Sequence, residues 1–433
     1  MRRRDVGRCT AAILALAAGT VVAACTPVPH ERELPVASGT APPPGASPVL
    51  DLPRVPWEGG PEYWSQFADA VDWTDPSFFP IVLWFNGISN DGEVRWDKQH
   101  GINTYAGMWE GTDFALFPRN DVYWIGEGLN DTFDADSPHW PGVFLDDEVD
   151  GRYSPAEGLA LLRGLQSEHG GADKFTWANF TQLVIGEDLD VPVQEQYVSI
   201  PDVVSVDMYW YTIPFCDWRP YRGDYYVDPV PEQTCRTASS YGRTLSGLSV
   251  RDESDGRLRP RWGVIENLNG LSGADHVRYI SPAQLQGAAM NSIINEARGL
   301  LWFNQSFTGE CESSGVVRQA QIEGDDFCGV EQVRAMGEVN QLIHDLAPII
   351  NTQSYVWNFG EGLDTMLKAH DGHAYVFAMT DGGTGRRSLT LPEGVGGARA
   401  EVVGEDREIA VTGGVLTDDF AAESSFHIYR IAL

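Results

Sequence analysis

From Phe79 onward the chain repeats one motif: a short apolar run, then a polar or helix-patterned stretch. The runs are PIVLWF (80–85), INTYAGM (102–108), VYWIGEG (122–128), VFLDD (143–147), FTWANF (175–180), VVSVDMYWY (203–211), RWGVIEN (261–267) and GLLWFNQ (299–305). Most are nearly continuous in apolar residues. A strand with one wet face alternates, whereas a parallel strand covered on both faces does not. Helical patterns separate several runs. Leu159, Leu161, Leu162 and Leu165 group within 155–168. The stretch 282–298 opens at Ser281-Pro282, an N-cap followed by a proline in the first turn, where its missing N–H is not needed. Between the second and third runs there is room for a short helix at most. Eight β/α units of this length predict a (β/α)8 TIM barrel.

A last amphipathic pattern, 330–346, puts Val333, Met336, Val339, Leu342 and Leu346 on one side, and Pro348 is expected to end it. From about Thr352 the pattern changes to short segments between turn residues: AYVFAMT (374–380), RRSLTLP (386–392), ARAEVV (398–403), EIAVTGG (408–414) and FHIYRIAL (426–433). These predict a small C-terminal all-β domain, a sandwich. The expected division is a barrel at 57–350 and a β domain at 351–433.

Ahead of the barrel, Arg2, Arg3, Arg4 and Arg8 precede an apolar stretch from Ala11 to Ala24, too short to span a bilayer. Residues 1–24 read as a signal peptide. Val22-Ala23-Ala24-Cys25 resembles a bacterial lipobox, which implies cleavage before Cys25 and a lipid on its thiol. Residues 25–56 are rich in proline and read as an extended tether. The expected location is the outer face of the cell membrane, as a lipoprotein, or the medium. Cys216, Cys235, Cys311 and Cys328 then remain, an even number that reads as two disulfides in an exported chain. Pairing of neighbours is the simplest of three connectivities. The net charge of −32 and pI near 4.5 repel nucleic acid and anionic membrane surfaces, so a neutral partner is expected. No phosphate-binding glycine loop, G-x-S-x-G elbow or H-E-x-x-H helix is present, and no metal or cofactor is implied.

Two glutamates close apolar runs: Glu148 in VFLDDEVDG and Glu266 in RWGVIENLNG. Two carboxyl groups at separate strand ends suit glycosidic bond cleavage, in which one protonates the leaving oxygen and the other attacks the anomeric carbon or activates water. By the run count they end the fourth and seventh strands. That placement resembles the large barrel clan (clan A type) of retaining glycoside hydrolases. The resemblance implies Glu148 as acid/base and Glu266 as nucleophile. It also implies a Tyr hydrogen-bonded to the nucleophile (Tyr209) and an aromatic ring beneath the sugar (Trp302). The clan usually has Asn before the acid/base; here it is Asp147, whose charge would help Glu148 keep its proton.

Other candidates surround this pair. Glu110 and Glu127 also end runs and are substitutes for it or ligands for substrate hydroxyls. Asn179 would present an amide at the same rim. Asp207, inside the sixth run, suits a buried, paired carboxylate. Tryptophans such as Trp84, Trp109, Trp124, Trp177 and Trp210 lie near run ends, where their faces could meet sugar C–H groups. The expected function is a surface glycoside hydrolase acting on an oligo- or polysaccharide by double displacement. The alternatives are an inverting hydrolase or transglycosylase using Asp146 or Asp147, and a surface protein that binds glycan without cutting it.

Overall fold

The computed structural model describes residues 50–218, 221–271 and 277–433. The signal peptide, Cys25 and the tether as far as residue 49 lie outside the described residues. All eight apolar runs are strands: β1 (Ile81–Trp84), β2 (Thr104–Ala106), β3 (Tyr123–Ile125), β4 (Gly142–Asp147), β5 (Phe175–Phe180), β6 (Val203–Val206), β7 (Arg261–Glu266) and β8 (Gly299–Phe303). They pair in parallel in sequence order and close through β1 and β8. The helices between and after them are α1 (Asp91–Gln99), α2 (Leu116–Asn120), α3 (Val149–Arg152), α4 (Pro155–His169), α5 (Val191–Val198), α6 (Ser239–Asp252), α7 (Pro282–Ile294), α8 (Val316–Glu323) and α9 (Val330–Ile350). The short helix expected between the second and third runs is the five-residue α2.

Each strand divides its side chains between two cores. Val82, Ile125, Trp177, Val264 and Leu301 point into the barrel, while Leu83, Trp124, Ala178, Ile265 and Trp302 face the helices. Burial on both sides explains the continuous apolar runs. The N-terminal end of the barrel is filled by two 3-10 segments that precede β1, Gly60–Gln66 and Ala68–Thr74. Trp64 packs on Phe175 at 5.1 Å between ring centroids, and Trp73 lies 6.4 Å from Trp262. The far end, where the C-terminal strand ends lie, is the open mouth.

Helix α9 corrects one expectation. Pro348 does not end it; the helix continues through Ile350. A proline removes only its own N–H bond, and so near the end little of the ladder remains to be lost. Burial of Ile349 and Ile350 favours the extra residues.

The all-β region follows. It has a five-stranded antiparallel sheet in the order β13 (Arg407–Ala410), β12 (Arg399–Val402), β15 (Phe426–Ala432), β10 (His373–Thr380) and β9 (Leu363–His370). A two-stranded sheet pairs β11 (Gly385–Thr390) with β14 (Val415–Phe420). The two sheets share a core that includes Val376, Leu389, Leu416 and Tyr429. The opposite face of β10 puts Phe377 and Met379 into the core that covers the barrel helices. Strands β9 and β14 carry no clear pattern. β9 buries Lys368, whose ammonium group donates to the carbonyls of Ile350 and Thr352. Residues 50–56 also depart from a free tether. Leu50 enters the β core, and Val55 donates to the Ser354 carbonyl at 3.0 Å.

Trp73→Ala should lower the unfolding free energy by about 3–5 kcal/mol, the usual cost of emptying a large aromatic site. Chemical denaturation of both forms measures it; a loss below about 1 kcal/mol would mean that the aromatic plug is not part of the cooperative core.

Candidate active site at the barrel mouth

A cavity of about 400 Å³ opens at the C-terminal ends of the strands, within the usual range of roughly 300–1,000 Å³ for small-molecule sites. Trp84, Phe85, Trp177, Tyr209, Phe215, Phe303 and Phe307 supply aromatic wall, and Gln182, Asn179 and Gln305 supply amides. Asp147, Glu148 and Asp207 supply carboxyl groups. Among the described residues lining it there is no Arg, Lys or His.

The carboxyl groups are aimed by local backbone features. In β4 the pairing with β5 jumps from Phe144–Trp177 to Asp146–Ala178, leaving Leu145 unpaired. This bulge shifts the inside–outside parity by one. Asp147 therefore sits opposite Asn179 and faces the cavity, while Asp146 is opposite the outward Ala178 and pairs with Arg152. Asn179 Nδ2 donates to Asp147 at 3.0 Å, and its Oδ1 accepts from Ser205 at 2.7 Å. Glu148 follows with a left-handed backbone (φ 52°, ψ 34°) and donates its N–H to the Asn179 carbonyl at 2.9 Å. Such a conformation costs a non-glycine residue about 1–2 kcal/mol. Phe85, at the end of β1, is left-handed as well (φ 54°). Strain of this kind gathers where function requires a fixed side-chain direction.

Asp207 follows β6 directly. It lines the cavity with Glu148 and Asp147, and its pKa lies well above the usual carboxylate range. Burial is the largest cause, followed by the charges of Glu148 and Asp147. Like charges crowded at a poorly solvated site disfavour ionisation, so Asp207 keeps its proton to higher pH than a free aspartate. Burial also raises Asp147, which the Asn179 hydrogen bond partly opposes. Tyr209 stands among these groups, its phenol kept neutral by burial and by the charges of Asp207, Asp147, Glu266 and Glu148. Gly270 lets it sit there, since a Cβ at that position would fall 2.6 Å from the Tyr209 ring.

The structure brings Glu148, Asp147, Asn179 and Tyr209 together, and separates four other candidates from them. Glu266 has no exposed surface and does not line the cavity. Its backbone pairs with the inward Phe303, yet its carboxyl group accepts from Tyr211 N–H at 3.1 Å and from the Tyr241 phenol of α6 at 2.5 Å. Burial raises its pKa to about 7, against the pull of those bonds. The phenol holding it is thus Tyr241, not Tyr209. Trp302 points out of the barrel, buried, with its indole N–H on Asn340 of α9 at 3.0 Å. By strand alternation the cavity takes its neighbour Phe303 instead. Glu110 and Glu127 are exposed and outside the cavity. Their strands end before the mouth, and Glu127 lies 3.9 Å from His169.

Trp84 and Trp177 do line the site, whereas Trp109 is 59% exposed and Trp124 and Trp210 are buried outside it. Asp207 is half-buried with its Oδ1 unpartnered, not the buried, paired carboxylate its run suggested, and its place in the cavity was legible only once β6 was known to stop at Val206. Both neighbouring disulfides are formed, Cys216–Cys235 and Cys311–Cys328, with Cα separations of 5.7 and 5.8 Å. They brace the loops that carry Phe215 and Phe307 to the cavity wall. Constraints of this loop length stabilise by roughly 3 kcal/mol each.

No family model matches the chain, and no curated protein matches it. Solved structures do. A protein named Amy13B from Eubacterium rectale aligns at 9% identity, 82% of this chain and 96% of that one, with a TM-score of 0.49. A family 51 α-L-arabinofuranosidase from Bifidobacterium longum aligns at 10% identity, 90% and 97%, with a TM-score of 0.46. A glycoside hydrolase family 5 structure from Bacteroides vulgatus aligns at 9% identity, 82% and 89%, with a TM-score of 0.44. With identities and TM-scores this low, the barrel rests on the strand pairing of this chain itself, and these likenesses say nothing of its activity.

The raised Asp207 fixes the sign of a stability effect. In the folded protein Asp207 holds its proton to higher pH than in the unfolded chain. Stability is therefore lost as pH rises above the ordinary aspartate value of 3.8. Asp207→Asn removes that slope. Relative to the parent, the variant should gain melting temperature as pH rises above 3.8. Equal pH dependence in the two proteins would show that Asp207 titrates normally.

Proposed function

We propose that this chain is a glycoside hydrolase that cleaves O-glycosidic bonds in a neutral oligo- or polysaccharide. One observation carries the reading: three carboxyl groups, Asp147, Glu148 and Asp207, set in an aromatic cavity at the barrel mouth. Aromatic faces suit sugar C–H surfaces, and amides suit hydroxyl groups. A carboxyl cluster in which one member keeps its proton to raised pH can supply a general acid. Glu148 protonates the leaving glycosidic oxygen, and Asp207 is the proton-holding group beside it. Asp147, held by Asn179, is the carboxylate positioned to stabilise the oxocarbenium-like transition state or to receive a proton from attacking water.

The register of β7 favours a second reading. Glu266 starts from the inward face beside Phe303, and a turn of its side chain away from Tyr241 would make it the nucleophile of a retaining double displacement. Product stereochemistry by NMR separates the two readings, since only the second forms a glycosyl-enzyme.

The test is turnover on a panel of neutral glycans and aryl glycosides. Glu148→Gln should cut kcat by roughly 10²–10⁴-fold, the contribution of a general acid. Asp207→Asn should move the alkaline limb of the pH profile to lower pH, because the group that holds its proton to raised pH is then gone. Near-parental turnover in Glu148→Gln would remove the assignment. Unchanged turnover in Glu266→Gln would remove the second reading alone.

We also propose export and lipid anchoring at Cys25, on the strength of the basic–apolar leader and the Val22-Ala23-Ala24-Cys25 sequence. Cys25→Ala should shift the protein from the membrane fraction to the soluble fraction on cell fractionation. Unchanged partition would exclude the anchor.

A further inference from the structure

Beside the cavity lies a second depression of about 220 Å³, walled by the loop after β6 and the loop after β5. The two share Gln182 and Phe215, so they form one continuous cleft. Aromatic residues continue outward from the shared edge. Phe215 meets Trp218 edge-on at 5.0 Å, and Trp218 is 53% exposed. Tyr225 and Tyr226 meet at 4.8 Å on the opposite side.

This groove is built in advance of any ligand. The Cys216–Cys235 disulfide closes its loop. Val227 N–H donates to the Ile185 carbonyl at 2.9 Å, and Gly186 bridges Tyr226. Gly186 also lets Tyr225 lie flat against the neighbouring loop, since a Cβ there would fall 2.4 Å from its ring. The Tyr225 hydroxyl donates to Asp188 at 3.0 Å, and Arg222 is paired with Glu187. Rings fixed in this way lose little freedom when a ligand stacks on them.

The geometry points to a further set of sugar subsites in this groove, occupied by the units of a neutral glycan that extend beyond the ring held in the cavity. The occupant follows from the continuity of the cleft. A chain seated among the carboxyl groups must leave past Phe215 and Gln182, and there it meets Trp218 as a stacking face and the amide as a hydroxyl partner. The wall of carboxyl groups, with no cation among the described residues that line the cavity, disfavours anionic sugars. The enzyme therefore acts on chains of several residues in preference to single glycosides. This inference rests on the glycan reading of the cavity.

Trp218→Ala tests it in the full chain, with an unchanged melting temperature as the folding control. On the neutral glycan that the parent cleaves, kcat/KM for a hexasaccharide should fall roughly three- to tenfold, the size of one aromatic contact. The value for an aryl monoglycoside or disaccharide should stay level. An equal fall on short and long substrates, or none on either, overturns the subsites and leaves the catalytic assignment standing. If the parent cleaves nothing in the panel, tryptophan fluorescence titration with xylo-, cello-, malto- and mannohexaose reads the groove directly. Saturable quenching present in the parent and absent in Trp218→Ala supports the subsites. A silent titration, or one unchanged by the substitution, overturns them.

Discussion

A closed parallel sheet gives each strand side chain two destinations, the barrel interior or the surrounding helices. Nearly everything about this molecule follows from that constraint. It requires apolar residues in both directions over most of each strand. It also confines polar chemistry to the strand ends, where inward side chains clear the packed layers and reach the mouth. The 3-10 segments carrying Trp64 and Trp73 fill the other end, so a substrate approaches from one side only. A single residue of parity then decides whether a side chain meets substrate or helix.

The site uses that geometry to place acids where water is scarce. Trp84, Trp177 and Phe303 lower the local dielectric around Asp147, Glu148 and Asp207. Ionisation of Asp147 and Asp207 becomes costlier there. The bulge at Leu145 and the left-handed backbone of Glu148 are the local departures that bring two successive acidic residues to the same cavity. Glu266 illustrates the opposite outcome. It is fully buried, and in this structure Tyr211 and Tyr241 hold it away from the cavity.

Behind the barrel, a buried ionic network joins three stretches distant in sequence. Arg298 pairs with Glu58 and Glu296 at 2.8 Å each, and Lys368 of β9 lies 3.7 Å from Glu296. Burial lowers the Lys368 pKa to about 7, opposed by the charge of Glu296. Such networks contribute little net stability but penalise any arrangement that leaves one charge unpaired. Here the network fixes the all-β region and the segment before the barrel against α7 and β8. A second tie runs from Glu423 to the hydroxyl of Tyr211 at 3.0 Å, whose backbone N–H holds Glu266.

The chain's own pattern determined the eight strands, most of the helices and the existence of a trailing β region, because burial on both faces leaves a continuous apolar signature that survives without coordinates. It also determined that acids cluster at the end of the fourth strand, while the cysteine pairing, one of three open to the sequence, was fixed by the fold. Tertiary structure decided which of those acids face one another. Trp302 and Phe303 are neighbours of similar character, and only strand phase sends one to α9 and the other to the cavity. Lys368 hides β9, because an internal charge reads as surface until its buried carbonyl partners are known. Asp207 and Glu148 lie far apart in sequence, and their meeting in one cavity depends on a closure of the sheet that no linear pattern encodes.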